Sequence, residues 1–383
     1  MNVPKLRFKE FTDEWIKIDL STCFEYFSTN SLSREQLSDH GIIKNIHYGD
    51  IHKKYGNVVD VENDVATYIK DTEQINKYEF CCENDIIFAD ASEDYDGIGK
   101  AIELINVNEK LVSGLHTIHA RDKKQFFSPL FKGYYFNTPI IHNQIRILAN
   151  GFKVFGISKD NINNLKVMLP SKQEQDKIAK LLSLLDKKIE LQAKKIEDLK
   201  LFKKGLSPII FNSINIISEK KLGNICSIKT GKLDANAMTT NGKYRFYTCA
   251  KNYYYTDNYA FDNEALLISG NGAYVGYIHY YKGKFNAYQR TYVLDSFLEN
   301  IQYIKVYLEE FLPKRISLEK KEGNTPYIVL STLYDMKIKL TDSKTEDKVI
   351  NLFFYVNSKI EQESEKFNKY NELKKGLIQS MFI

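Results

Sequence analysis

Four short groupings hold residue types that could do chemistry, and each lacks the companions its chemistry needs. His116 and His119 stand three apart. That spacing can put two imidazoles on one helix face for a metal ion, but the surroundings read as strand and turn and no third ligand is indicated. Asp186-Lys187-Lys188 has the Asp-x-Lys order that closes a nuclease site, yet it lies mid-helix without a paired upstream carboxylate and reads as a solvated face. Gly97-Ile98-Gly99-Lys100 lacks the upstream glycine and the hydroxyl residue of a phosphate-cradling loop. Ser269-Gly270-Asn271-Gly272 leads into a strand pattern (Tyr274 to Tyr280), whereas an anion loop must open a helix, so a hairpin turn is expected there. None of the seven prolines adjoins another, so the Asn/Asp-Pro-Pro-aromatic run that packs a flipped adenine is also missing. No nucleophile, base and orienter assemble. The expectation is a non-catalytic chain that binds neither metal nor cofactor itself.

Basic residues interleaved with aromatic and amide side chains are the better lead. In the first half these are Lys44, Asn45, His47, Tyr48, His52, Lys53, Lys54, Arg121, Lys123 and Lys124. In the second half they are Lys229, Lys232, Lys243, Arg245, Tyr247, Lys282, Lys284, Gln289 and Arg290, all expected in or beside loops. Arg, Gln and Asn can make paired hydrogen bonds to base edges in the major groove of DNA, and Lys supplies charge against phosphate. Arg290, flanked by Gln289 and Thr291, is the best single candidate for a base contact. The net charge of +5 permits nucleic acid as a partner without demanding it.

Composition sets further bounds. A length of 383 residues with 43% hydrophobic content suffices for two to three cores. Five cysteines form no C-x-x-C pair and make an odd number, which argues for reduced thiols and against a disulfide frame or a structural zinc site. No apolar run approaches about 18 residues and the N-terminus is no signal peptide, so a soluble, cytoplasmic protein without a membrane segment is expected. The 26 tyrosines offer stacking area with a hydroxyl, which suits a binding surface as well as sheet packing.

The element that must position these groups occurs twice. Sliding the chain by 171 positions lays Asp176-Lys177-Ile178 on Asp347-Lys348-Val349 and Lys203-Lys204-Gly205-Leu206 on Lys374-Lys375-Gly376-Leu377. In the first copy, Ile178, Leu182, Leu185, Ile189, Ile196, Leu199 and Leu206 recur at the alternating 3 and 4 spacing of a coiled-coil seam, interrupted by Gln192 and Lys203. The second seam is Val349, Phe353, Val356, Ile360, Phe367, Tyr370 and Leu377, interrupted by Glu363 and Lys374. Ser171 with Glu174, and Ser343 with Glu346, read as capping boxes, and Gly205 and Pro208 read as stop signals for the first helix. A helix of about 36 residues is roughly 50 Å long, too long for one small core to cover. The two copies therefore cover each other, and antiparallel pairing would bring the midpoints Gln192 and Glu363 together.

Ahead of each helix lie strand patterns: Asp85 to Phe88, Ala101 to Ile105 and Gln144 to Leu148 in the first module, Ala265 to Ser269 and Thr291 to Leu294 in the second. Phe297 to Leu312 reads as a helix ended by Pro313. The fold class is α+β: two homologous α+β domains separated by two long helices that pair as an antiparallel coiled coil, with internal pseudo-two-fold symmetry. The expected divisions are a lead-in at 1–17, a domain at 18–168, a helix at 169–206, a connector at 207–220, a second domain at 221–340 and a second helix at 341–383.

With Pro4-Lys5-Leu6-Arg7-Phe8 and Trp15 in the lead-in, Ile46-His47-Tyr48-Gly49-Asp50-Ile51-His52 in the first module, and two helices ending Lys-Lys-Gly-Leu, the chain resembles the specificity subunit of a type I restriction-modification enzyme along essentially its whole length. The resemblance implies that each module is a target-recognition domain reading one half of a split site in double-stranded DNA. It implies that the helices space the domains and dock two methylation subunits, which bind S-adenosylmethionine. Restriction and translocation subunits, which use ATP and Mg, would complete the complex. Two features depart from the pattern: the connector echoes the lead-in only weakly, and Phe353, Phe354 and Tyr355 make the second helix more aromatic. A rival reading is a coiled-coil scaffold whose end domains bind proteins.

Overall fold

The apolar 3 and 4 spacing gives two long helices, Lys172–Ser213 and Ser343–Met381. The computed structural model describes residues 2–72, 75–151, 153–319 and 327–383. Every seam position named above is buried or half-buried in a helix whose intervening residues are mostly exposed. The chain divides into two compact units, Met1–Ala193 with Glu365–Ile383, and Lys194–Ser364.

In the first unit, a five-stranded sheet runs in the order Phe24–Phe27, Thr117–Asp122, Ile86–Ala89, Ala101–Ile105 and Val58–Asp60. A four-stranded sheet runs Leu111–Ser113, Lys44–Ile46, Tyr68–Ile69, Leu37–Ser38. Ile178 and Leu182 share one apolar core with Trp15, Phe131, Tyr135, Met381 and Phe382, and Leu377 packs against it. Asp186 pairs with Lys374 at 2.5 Å, and the Lys188 ammonium lies 4.7 Å above the Tyr370 ring. Partner numbers fall as first-helix numbers rise, so the helix segments within this unit are antiparallel. The lead-in docks here: Leu6 N–H donates to Ser380 O at 2.9 Å, and the rings of Trp15 and Phe382 meet edge to face at 6.3 Å.

The second unit holds a six-stranded sheet in the order Ser227–Thr230, Thr291–Asp295, Phe261–Ser269, Ile278–Ala287, Tyr244–Tyr247, Tyr254–Thr256. Its helix segments are antiparallel too, with Lys195 3.2 Å from Glu363 and the Lys203 ammonium 5.9 Å above the Phe353 ring. Glu363 is buried and also takes Lys359 at 3.4 Å, so this polar interruption of the seam is met by cations.

The units repeat one plan in detail. In the first, Ile16–Ile18 pairs antiparallel with Val167–Leu169 just before the long helix; in the second, Ser218–Lys221 pairs the same way with Lys337–Leu340. Phe382 sits 5.7 Å from the Tyr135 ring, and its counterpart at the 171-residue offset, Phe211, sits 5.4 Å from Tyr307.

Several local expectations are corrected. The first long helix passes through Gly205 and Pro208 to Ser213. Pro208 removes one helix hydrogen bond, and burial of Phe211 beyond it, with about 1.5–3 kcal/mol of apolar stabilisation, offsets that loss. Pro313 likewise lies inside the helix Ile301–Glu319, which Ile316, packed on the core, and the Arg315–Glu319 pair carry past it. Gln144 to Leu148 ends a helix, Pro139–Leu148, and is no strand. Thr138 caps that helix, Pro139 occupies a first-turn position that needs no N–H, and Ile141 and Ile145, four apart, both reach the core.

The strand expected from Tyr274 begins only at Ile278. Residues before it form the turn, where Gly276 adopts φ 83° and donates to Ser269 O at 2.8 Å. Neither capping box closes. Glu174 Oε atoms take Arg7 instead of the Ser171 N–H, and the second helix is capped by Asp342, which accepts from Thr345 N–H at 3.0 Å.

Candidate nucleic-acid interface

In the second unit, strand pairing gathers a basic and tyrosine-rich surface from distant residues. Tyr244–Tyr247 lies between Tyr254–Thr256 and Ile278–Ala287, so Arg245 faces Tyr255 on one neighbour and Phe285 on the other. The Arg245 guanidinium is 4.3 Å from the Tyr253 ring and 4.6 Å from the Tyr281 ring, and Nη1 donates to Tyr247 Oη at 3.5 Å. Arg245, Tyr247 and Tyr253, with Lys251, Asn252, Tyr255, His279 and Tyr280, line an open cleft of about 550 Å³. No carboxylate is among its described lining residues. The Lys251 ammonium sits 5.4 Å over Tyr274. Burial holds the His279 imidazole below its ordinary pKa, favouring the neutral ring, which meets Ala250 O at 3.0 Å.

Backbone hydrogen bonds tie the Arg290 turn to this strand. Tyr288 N–H donates to Tyr247 O at 2.9 Å, and Gly270 N–H donates to Arg290 O at 2.9 Å. Gln289 and Arg290 are exposed. Of the seven arginines, Arg7, Arg34, Arg121, Arg146 and Arg315 are ion-paired with carboxylates, and Arg245 and Arg290 have no carboxylate partner among the described residues. Arg245 lines this cleft, and Arg290 stands on the turn whose Tyr288 N–H is bonded to its strand.

Other predicted residues of the second unit are dispersed. Lys232 and Lys243 are exposed. Lys229 is exposed on the edge strand, 3.6 Å from Asp295. Lys282 and Lys284 stand inside a strand and not in a loop, with Lys282 3.7 Å from Glu264 and Lys284 4.7 Å over the Tyr259 ring. Tyr247 is buried at this surface, its hydroxyl accepting from Arg245 and its ring 5.9 Å from Tyr253 and 5.0 Å from His279.

In the first unit, several candidates are turned inward. Lys44 and Asn45 are buried in a strand; the Lys44 ammonium donates to Val61 O at 2.7 Å and pairs with Glu109 at 2.9 Å, and Asn45 Oδ1 accepts from Asn30 at 2.8 Å. His47 is buried and caps the short helix Tyr48–Lys53, its Nδ1 accepting from Gly49 N–H at 3.1 Å. Burial and the nearby Arg34 hold its pKa low.

Arg121 is consumed by Asp85 and Glu79 while lying 4.6 Å over Phe27. Asp85 also accepts from the buried His119 at 2.7 Å, and His116 pairs with Asp90 at 3.2 Å, so the two histidines have separate partners. Tyr48 remains half-buried amid His47, His52 and His116, with ring centroids at 4.7, 6.1 and 5.2 Å, and His52 Nε2 meets Ala91 O at 2.9 Å. Lys54 pairs with Asp50 and Lys123 with Glu25, while Lys53 and Lys124 are exposed.

Sequence reasoning missed Lys251, Tyr253, His279 and Tyr281. The available signal was the run Tyr253-Tyr254-Tyr255 and the alternation about Tyr281.

Repeated helices with a sheet-built domain in each unit define a duplicated α+β protein. Residues 12–201 and 217–375 match the family model of the type I restriction modification DNA specificity domain, and the chain belongs to that family, carrying its domain twice. It is 38% identical over 120 residues to the type I restriction enzyme EcoDI specificity subunit of Escherichia coli; that match spans 31% of this chain and 26% of the relative. A type I restriction-modification S subunit from M. genitalium superposes with a TM-score of 0.64 at 16% identity, covering 100% of this chain and 99% of that one. A structure described in terms of complex assembly and conformational transition of the type I R-M system superposes with a TM-score of 0.58 at 13% identity, covering 98% and 99%. These two likenesses are of fold. Among the described residues no helix is long and apolar enough to cross a membrane.

Proposed function

We propose that the chain is the DNA-reading subunit of a cytoplasmic type I restriction-modification complex. Domains at 18–168 and 221–340 each read one half of a split target, and the long helices dock two methylation subunits. The observation that carries this reading is one scaffold built twice under different surfaces. Helix seam, strand pair and aromatic anchor repeat between the units, while the exposed cations and tyrosines do not. Contacts come from Lys232, Lys243, Arg245, Lys282, Lys284, Gln289 and Arg290 in the second domain, and from Tyr48, His52, Lys53, Lys54 and Lys124 in the first. Chemistry belongs to the partners: S-adenosylmethionine on the methylation subunits, ATP and Mg on restriction subunits.

Methylation-aware sequencing of the host genome, with and without this gene, tests the proposal. One split motif with a fixed gap, lost on deletion, is expected. A single uninterrupted motif, or no change on deletion, would overturn it. Methyl transfer by the purified chain alone would overturn the non-catalytic assignment.

A further inference from the structure

We infer that Arg245 determines specificity in the second domain, reading a pair of hydrogen-bond acceptors on one base pair, with Tyr253 and Tyr281 as its positioning residues. The assignment rests on the DNA-reading function proposed above. Both rings lie within cation–π distance of the guanidinium, at 4.3 and 4.6 Å, and one nitrogen is engaged by the Tyr247 hydroxyl. Rings packed on the flat group hold its plane and leave the in-plane N–H edge to act. An edge of that kind presents two parallel donors, which match two acceptors side by side, as on the major-groove edge of guanine.

Two observations separate this arginine from structural ones. Arg121 also lies on an aromatic ring, Phe27 at 4.6 Å, but its donors are taken by Asp85 and Glu79. Arg245 has no carboxylate partner among the described residues, and the described lining of its cleft has none. Two tyrosine rings therefore hold a cation whose in-plane donors meet no acid among the described residues. Fixing a long side chain beforehand removes the entropy cost of ordering it on binding, so the contact discriminates sharply between bases.

Selection from randomised DNA duplexes by the full chain, co-purified with its methylation subunits, tests this. Wild type is expected to select a split motif. Arg245→Lys keeps the charge and loses the planar fork, so discrimination at one base pair of one half-site should fall about 10- to 100-fold, with other positions unchanged. Tyr253→Ala and Tyr281→Ala should weaken the same position, while Tyr253→Phe and Tyr281→Phe keep it. Uniform weakening of all sequences by Arg245→Lys, with discrimination kept at every position, would make Arg245 a phosphate contact and overturn the assignment. So would an unchanged motif, or loosening at a different position by the tyrosine variants. If wild type selects no motif, the DNA-reading function itself falls and this assignment with it.

Discussion

Arg7 grips Glu174 with a two-pronged pair, Nε and Nη2 each 2.7 Å from a carboxylate oxygen, and the Glu174 side chain is 1% exposed. This fork fastens the lead-in to the first turn of the long helix in the first unit. Arg7→Ala leaves a buried carboxylate without its partner and is expected to destabilise that unit by about 3–5 kcal/mol. Urea unfolding checks it; a loss under about 1 kcal/mol would show that the lead-in is not held by this pair.

The aromatic anchors at the helix ends give a second expectation. Phe211→Ala and Phe382→Ala each remove a nearly fully buried ring and should cost about 3–5 kcal/mol. Hydrogen exchange should show loosening in 194–364 for Phe211→Ala and in 1–193 for Phe382→Ala. The same pattern from both substitutions would contradict two separately anchored cores.

Acid sensitivity follows from Asp85. Burial pushes its carboxyl up, but hydrogen bonds from His119 and Arg121 outweigh burial and hold it below the ordinary Asp value. Ionised Asp85 therefore contributes stability that is present above about pH 4 and is lost as pH falls through the depressed folded-state value. Asp85→Asn should lower stability at pH 7 by about 1–3 kcal/mol and flatten the acid limb. Denaturation series from pH 7 to pH 3 compare the two; parallel acid limbs would rule Asp85 out as their source.

Exchange of 221–340 for the corresponding domain of a relative should change one half of the methylated motif and leave the other intact. Genome-wide methylation mapping reads the result. Changes in both halves would exclude independent readout by the two domains.

Arg290→Ala removes an exposed guanidinium with no carboxylate partner among the described residues. It should cost about 1–3 kcal/mol on the target site and relax discrimination at one position. Equal weakening on every sequence in a titration series would instead identify a phosphate contact.

The long helices were legible because their signals are local and repeated: the seam spacing from Ile178 and from Val349 survives any change of surface. Their ends were not, because Pro208 and Pro313 are stop signals only when nothing beyond them packs on a core, and Phe211 and Ile316 do. The likeness of Ile16–Ile18 to Ser218–Lys221 escaped reading because it resides in backbone pairing, which an apolar strand and a charged one make equally well.

The surface shows the same limit. Lys44 and Arg121 look like ordinary surface cations until Glu109 and Asp85 are brought beside them. Arg245 is visible as a basic residue, but its two rings come from Tyr253, on one side of a strand pair, and Tyr281, which is far along the chain.

The first unit is discontinuous, since 365–383 closes the core begun by 1–193, whereas the second is the unbroken stretch 194–364. During synthesis the second unit can therefore fold as soon as it emerges, while the first must wait for a segment made long after the rest of it. Until Leu377, Met381 and Phe382 arrive, Trp15, Phe131 and Tyr135 lack the side chains that complete their core. Messages cut short before residue 365 would yield a chain with its second unit finished and its first left open where Leu377, Met381 and Phe382 should close the core.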